Sequence, residues 1–275
     1  MLRERVAQAA EKAVREAEIH LPPDFLRALE KTISKETADV AKAEYENILE
    51  NLRQADSLSV PICQDTGLHI FFVTLPPKIP LSADIYEGIN DGLREATKDI
   101  PLRPNAVDPL TRRNSGDNTG EMTPAVHIRP GEKFTITAVP KGGGSENMSR
   151  LSMLLPSETE KIKSFVVETM LVAGGRPCPP VVLGVGIGST FDGVAALAKE
   201  ALLEPVDSMD EYEQELCDAV NSLGIGPMGL GGDFTCIAVK VKKGYCHTAS
   251  LPVAVNVQCW VNRRATVEVD TEGLL

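Results

Sequence analysis

The sequence has few aromatic residues: one Trp, four Tyr and seven Phe among 275 residues. Packing must therefore rest on Val, Leu, Ile and Ala. Basic residues are also in deficit, with 28 Lys and Arg against 39 Asp and Glu and a formal net charge of -11. No Lys/Arg block exceeds two or three residues, which argues against nucleic acid and anionic membranes as main partners. Small anionic substrates are not excluded, because one or two local Arg residues can bind them against the global field. No apolar run approaches ~20 residues, so no membrane span is expected. The start, Met1-Leu2-Arg3-Glu4-Arg5, leads into an amphipathic helix pattern and not a signal peptide, and the chain is read as cytoplasmic. The six cysteines (Cys63, Cys178, Cys217, Cys236, Cys246 and Cys259) include no C-x-x-C pair, so a zinc ribbon or thioredoxin-type site has no support. In a reducing compartment disulfides are not expected either. What remains is a mix of buried thiols and ligands drawn from distant parts of the chain.

The length suits one large domain or two small ones, and an apolar fraction of 43% is enough to bury a core. Residues 1–56 read as helical, with Val6, Ala9, Ala10, Ala13, Val14 and Ala17 at three- and four-residue spacing. Leu21-Pro22-Pro23-Asp24 breaks the run, Asp24 is expected to cap the next helix, and a third helix is expected over about 36–54. His69–Leu75 is a strand candidate and Ser82–Lys98 a helix. Residues 101–123 form a long polar loop, a length that often signals function. Strand candidates Ala125–Arg129 and Lys133–Val139 flank the turn Pro130-Gly131-Glu132. Ser157-Glu158-Thr159-Glu160 has capping-box spacing and predicts a helix running to about Ala173. Val181–Gly186, Phe234–Val241, Leu251–Val257 and Ala265–Val269 predict strands, with helices near 191–203 and 208–222. There is no internal repeat or low-complexity segment. The expected fold is α+β, a single domain over 1–275 in which a helical N-terminal layer (1–56) packs on a mixed or antiparallel sheet with additional helices.

Three cysteines sit in unusual company: Cys63 in Pro61-Ile62-Cys63-Gln64-Asp65-Thr66-Gly67, Cys178 in Gly174-Gly175-Arg176-Pro177-Cys178-Pro179-Pro180, and Cys259 in Asn256-Val257-Gln258-Cys259-Trp260. A buried structural Cys needs no polar neighbours, whereas a metal ligand beside a reacting substrate does. Prolines on both sides of Cys178 fix its backbone and remove amide donors. Thiolates suit iron–sulfur clusters, and three of them on a four-iron cluster leave one iron open as a Lewis acid. Taken singly, each reads more readily as a buried apolar thiol. The run Lys141-Gly142-Gly143-Gly144-Ser145-Glu146-Asn147-Met148-Ser149 lets backbone amides approach an anion, or else is a flexible hairpin exit. It lacks the Gly-Lys-Ser/Thr ending of a nucleotide-binding loop. Arg103, in Leu102-Arg103-Pro104-Asn105, has the planar fork that suits a carboxylate, or is a solvated surface residue, and Arg112 and Arg113 compete for the role. His247 either orients a carboxylate, shuttles a proton or is structural; His20 and His127 read as structural, and His69 is open. Gly229-Leu230-Gly231-Gly232-Asp233 reads as a tight turn into a strand.

In this order, PICQDTG, KGGGSENMS, GRPCPP, GLGGDFT and HTASLPVAVNVQCW resemble the class I iron–sulfur fumarate hydratases and tartrate dehydratases, over residues 60–265 and with a fitting helical N-terminus. The length resembles the α subunit of the two-subunit form, or the N-terminal half of the single-chain form. The resemblance implies a [4Fe-4S] cluster with one open iron, held by Cys63, Cys178 and Cys259. Motif position selects Cys259 over the nearby Cys236 and Cys246. It further implies that Gln64 and Asp65 face the substrate, with Asp65 as the acid that manages the hydroxyl proton. Arg103 would pair with a substrate carboxylate, Gly143 would give a backbone contact, and His247 would be the active-site histidine. A separate β subunit would complete the site and supply the base that removes the carbon proton, in an expected α2β2 assembly. The implied reaction is reversible hydration of fumarate to L-malate, with L-tartrate dehydratase or mesaconate hydratase as alternatives. A non-catalytic cluster-bearing scaffold or redox-sensing subunit is the alternative of another class.

Overall fold

The computed structural model describes residues 1–273. In chain order the helices are α1 (Leu2–Ile19), α2 (Pro23–Ile33), α3 (Asp39–Leu58), α4 (Ala83–Asp99), the single turn α5 (Gly143–Glu146), α6 (Lys161–Ala173), α7 (Phe191–Ala201) and α8 (Glu211–Asn221). The strands are β1 (Leu68–Leu75), β2 (Ala125–Pro130), β3 (Thr135–Lys141), β4 (Arg150–Leu154), β5 (Val181–Ile187), β6 (Cys236–Lys243), β7 (Leu251–Gln258) and β8 (Ala265–Glu268). The fold is α+β, with two mixed four-stranded sheets rather than one. The chain divides into two compact units: residues 1–22, 51–143 and 263 onward, and residues 23–50 and 144–262. The N-terminal helices are shared between them, with α1 in the first unit and α2 in the second. Among the described residues no helix is long and apolar enough to cross a membrane.

In the first unit the sheet order is β2-β1-β3-β8. β2 and β3 do not pair with each other across their Pro-Gly turn. β1 lies between them, parallel to β2 and antiparallel to β3. Alternation along β1 and β3 sends Phe71, Val73, Ile136 and Ala138 to one face, where α1 and α4 cover them with Val6, Ala10, Val14, Ile85, Ile89 and Leu93. The two helices meet closely because α4 carries Gly88 and Gly92 one turn apart. A Cβ at Gly88 would lie 2.6 Å from the Arg3 carbonyl oxygen, and one at Gly92 2.2 Å from that of Ala7.

In the second unit the order is β4-β7-β5-β6, with β5 antiparallel to β7 and parallel to β6. β5 is buried on both faces, as its run Val-Val-Leu-Gly-Val-Gly-Ile suggests. Val181, Leu183 and Val185 join the core beneath α6 and α8. Gly184 and Gly186 point the other way and admit the α7 backbone: a Cβ at either would sit 2.1 or 2.3 Å from the carbonyl oxygens of Ala198 and Val194.

Several local expectations are corrected. Asp24 is inside α2, which begins at Pro23, and not at the capping position before it; its Oδ2 accepts the Val206 N–H at 2.9 Å. The Ser157–Glu160 box does not form. A single 3-10 turn occupies Pro156–Glu158, Glu158 accepts the Leu155 N–H at 2.8 Å, and α6 begins only at Lys161. β4, which the sequence reading left out, pairs with β7 from Arg150↔Val255 to Leu154↔Leu251.

Gly92→Ala tests the α1–α4 contact. Alanine is the better helix former by about 1 kcal/mol, but overpacking against a backbone carbonyl costs roughly 1–3 kcal/mol or more. A net loss of about 1–2 kcal/mol in chemical denaturation is expected. Equal or higher stability would mean that the two helices do not approach this closely.

Candidate active site and cluster-ligand cysteines

In the first unit the site candidates cluster on the loop between α3 and β1. Asp65 is held at both carboxylate oxygens: Oδ1 accepts the Gly67 N–H at 3.0 Å and Oδ2 the Gly143 N–H at 2.8 Å. The second contact follows from strand register. Leu68 pairs with Lys141 across β1 and β3, so the chain leaving β3 passes directly over Asp65. Two glycines make this possible. Gly67 has φ +73°, and a Cβ there would lie 2.6 Å from the Lys141 backbone; a Cβ at Gly142 would lie 3.1 Å from Asp65 Oδ2. The Gly143 amide, expected to face substrate, is engaged by Asp65 in this structure.

The neighbouring residues are tied just as closely. Thr66 is buried, and its Oγ1 accepts the Arg103 N–H at 3.1 Å and the Asn105 side-chain amide at 3.3 Å. Asn105 also donates to the Gly67 carbonyl at 2.9 Å. The long polar loop is therefore anchored at the Asp65 segment while the Arg103 side chain stays exposed. Arg112 and Arg113 belong to a separate exposed turn built on Asp108, whose carboxyl is held low by hydrogen bonds from the Thr111 backbone and side chain. Gln64 is exposed and Cys63 half-buried.

In the second unit Cys178 and Cys259 lie at the same end of the sheet. Val182 pairs with Gln258, so Cys259 leaves β7 beside the point where Cys178-Pro179-Pro180 enters β5, and the Trp260 N–H donates to the Cys178 carbonyl at 3.2 Å. Cys178 is exposed and has φ +53°, unusual for a residue with a side chain. The Gly229 turn buttresses its loop: the Met228 N–H donates to the Pro179 carbonyl at 2.8 Å, and a Cβ at Gly175 would meet Gly229 Cα at 3.0 Å. The turn ends at Asp233, whose Oδ2 accepts the Thr37 hydroxyl and N–H, which hold that carboxyl low. Cys259 is half-buried, with Sγ 3.7 Å from Gln258 Nε2 and 3.8 Å from the Val261 carbonyl.

The other cysteines differ. Cys217 and Cys236 are buried in the core, burial pushes the Cys236 thiol well up, and Cys217 donates to the Cys236 carbonyl. Cys246 is exposed on the loop before β7. His247 is on that same loop, exposed, with Nδ1 accepting the Ala249 N–H at 3.1 Å, which leaves Nε2 to carry the proton. The eight residues of β7 separate His247 from Cys259 by about 25 Å at ordinary strand rise, so the two stand at opposite ends of the strand.

Among the described residues no three His, Cys, Asp or Glu side chains gather closely enough to hold a single metal ion. A four-iron cluster makes a different demand, since each thiolate binds a different iron and the ligands need not converge on one point. The donor chemistry fits such a group: Cys63, Cys178 and Cys259 are the three non-core cysteines set in polar, turn-bound motifs, and Cys178 is presented outward by a fixed backbone.

Sequence reasoning missed Glu18, Asn105 and Arg263 and left the role of His69 open. Glu18 and Arg263 form a buried pair at 2.7 Å, and Arg263 also donates to the Asp65 carbonyl at 2.9 Å. The available signal was a charged residue one turn beyond Val14, on the apolar stripe of α1. The Ser145-Glu146-Asn147 signal has a structural part: Glu146 pairs with Lys199 and accepts from Asn256 at 3.2 Å, fastening α5 to α7 and β7.

A family model described as Fumarate hydratase (Fumerase) matches residues 7–268. A protein of Methanocaldococcus jannaschii named "Putative L(+)-tartrate dehydratase subunit alpha" is 44% identical, covering 98% of this chain and 100% of its own length. The L(+)-tartrate dehydratase subunit alpha of Escherichia coli (strain UTI89 / UPEC) is 34% identical over 92% of this chain and 86% of its own length. The same figures hold for the protein of that name from Shigella boydii serotype 4 (strain Sb227). The chain belongs to the fumarate hydratase (Fumerase) family of hydro-lyases.

Proposed function

We propose that this chain is the α subunit of an iron–sulfur hydro-lyase that interconverts a four-carbon unsaturated dicarboxylate and its 2-hydroxy acid, with fumarate and L-malate as the first reading. The observation that carries it is the Asp65 carboxylate, fixed by two backbone amides and two residues from Cys63. Cys63, Cys178 and Cys259 would hold a [4Fe-4S] cluster. Such a cluster, with one iron lacking a protein ligand, supplies Lewis acidity toward a hydroxyl and a carboxylate. Asp65 manages the proton on the substrate hydroxyl oxygen: its orientation is set by Gly67 and Gly143, and lone pairs remain on each oxygen for the substrate. Arg103 reaches outward from an anchored main chain and pairs with a substrate carboxylate. Gln64 offers both a donor and an acceptor to the same ligand.

His247 stands at the far end of β7 from Cys178 and Cys259, so it serves such a site from a second copy of the α chain, as an α2β2 assembly would allow. Its Nε2–H is then the group that meets a carboxylate. The base that removes the carbon proton comes from the β subunit, which the names of the relatives as alpha subunits support. Those same names favour L(+)-tartrate as the second reading of the substrate.

The cluster assignment is tested by anaerobic reconstitution. About four iron and four sulfide per chain are expected in the wild type, falling sharply in Cys63→Ser, Cys178→Ser and Cys259→Ser and holding in Cys246→Ser. Full loading in any of the first three would remove that residue from the ligand set. With the β subunit co-expressed, Asp65→Asn should keep its iron and lose roughly 10²–10⁴ in kcat, and wild-type turnover would end the proposed role of Asp65. Steady-state kcat/KM for L-malate, fumarate and L(+)-tartrate separates the substrates: a preference for malate and fumarate supports the first reading and a preference for tartrate the second. A fully loaded complex that turns over none of them, and not mesaconate either, is the result expected of a non-catalytic subunit.

A further inference from the structure

The first unit buries an ionic cluster that the proposed chemistry does not use. Glu18 is fully buried near the end of α1, and Arg263 is 1% exposed. Arg263 Nη1 donates to Glu18 Oε2 at 2.7 Å and Nη2 to the Asp65 carbonyl oxygen at 2.9 Å. His69 shares the face of β1 that carries Phe71 and Val73, and its Nε2 lies 3.2 Å from Glu18 Oε1, in ion-pair reach though not aligned as a hydrogen bond. The Glu18 main chain adds a further tie, its carbonyl accepting the Ile62 N–H at 2.9 Å. Asn51 donates to the Ile62 carbonyl at 2.8 Å. The loop is thus pinned at Ile62 and at Asp65, on either side of Cys63 and Gln64.

Stability is a poor account of this arrangement. Taking a carboxylate and a guanidinium out of water is costly, and well-packed apolar residues commonly serve as well or better. The cluster here leaves Arg263 Nε and His69 Nδ1 without hydrogen-bond partners among the described residues, which adds to that cost. What a planar guanidinium does that an apolar side chain cannot is fix two acceptors at once in a set geometry. One of those acceptors is the backbone of Asp65.

We propose that Arg263, held in place by Glu18, is a positioning residue for Asp65, setting the angle at which the Cys63–Asp65 loop presents its carboxylate. This rests on the reading of Asp65 as the carboxylate that acts on substrate. Misplacement by a fraction of an ångström is enough to matter at such a group.

The test uses the α chain co-expressed with its β subunit, in Arg263→Gln, Asp65→Asn and the double variant. Arg263→Gln should keep its iron and lose ~10- to 100-fold in kcat per loaded cluster, with KM changed by less than about threefold. In the Asp65→Asn background the same change should cost less than about twofold, because its effect runs through a carboxylate already removed. Independently of turnover, amide exchange across residues 62–67 should quicken by ~10-fold or more while that of α4 is unchanged. Wild-type kcat per cluster in Arg263→Gln, a full multiplicative loss in the double variant, or equal quickening in α4 would each overturn the proposal. Wild-type turnover in the single Asp65→Asn variant would instead locate the failure in the reading of Asp65. If Arg263→Gln does not fold, Arg263→Lys keeps a cation beside Glu18 without the fork, and it should show the same kcat loss with cluster content retained.

Discussion

Each oxygen of the Asp65 carboxylate takes one backbone amide hydrogen bond, and much of the first unit is arranged so that this can happen. The Gly67 contact is local, a carboxylate accepting from the residue two further on. The Gly143 contact joins residues 78 positions apart and exists only because β1 and β3 pair in one register. A slip of one residue would turn every side chain of a strand to its opposite face, taking Phe71 and Val73 out of the core they share with α1 and α4. The core that locks the register therefore also locks the carboxylate. Glycine at 67 and 142 is the remaining condition, since a side chain at either would push the two segments apart.

The second unit solves a similar problem with different means. Cys178 is exposed on a braced backbone, flanked by prolines, backed by the Gly229 turn and tied to Trp260 by a main-chain hydrogen bond. The β5–β7 register then sets Cys259 beside it. Side chains presented from strand ends and braced loops hold their positions better than those on free loops. Both units also draw a helix close by removing side chains at the contact, Gly88 and Gly92 for α4 on α1, Gly184 and Gly186 for β5 beneath α7.

Much of this was legible in the sequence, because the strongest signals are periodic or local. The helices and most strands follow from apolar spacing, and the polar motifs that flank Cys63, Cys178 and Cys259 mark themselves against apolar surroundings. What escaped depends on partners far away in the chain. Glu18 and Arg263 are 245 residues apart, and nothing near either reveals the other. β2 and β3 look like neighbours around a turn, yet a strand from earlier in the chain takes the place between them. Ser157 and Glu160 had the right spacing for a cap, but Pro156 begins a 3-10 turn and Glu158 is the carboxylate that turns back to the chain. His247 belongs to a motif that continues to Cys259 in sequence; the strand predicted between them already implied a separation, and β7 sets the two at opposite ends.

Charge gives the last constraint. A dicarboxylate brings two negative charges to a chain whose own formal charge is -11. Arg263 lies close to Asp65 but is spent on Glu18 and a carbonyl, and it is buried beneath the loop, so it fixes geometry without meeting a ligand. Arg103 is exposed on a main chain anchored to Thr66, and one planar fork suits one carboxylate. In the proposed reaction a second carboxylate, and the charge that builds on it as the carbon proton leaves, calls for further cations. A partner subunit that supplies them would do more than complete a pocket. It would reverse the local field, and the α chain alone would then bind its substrate weakly even with its cluster in place.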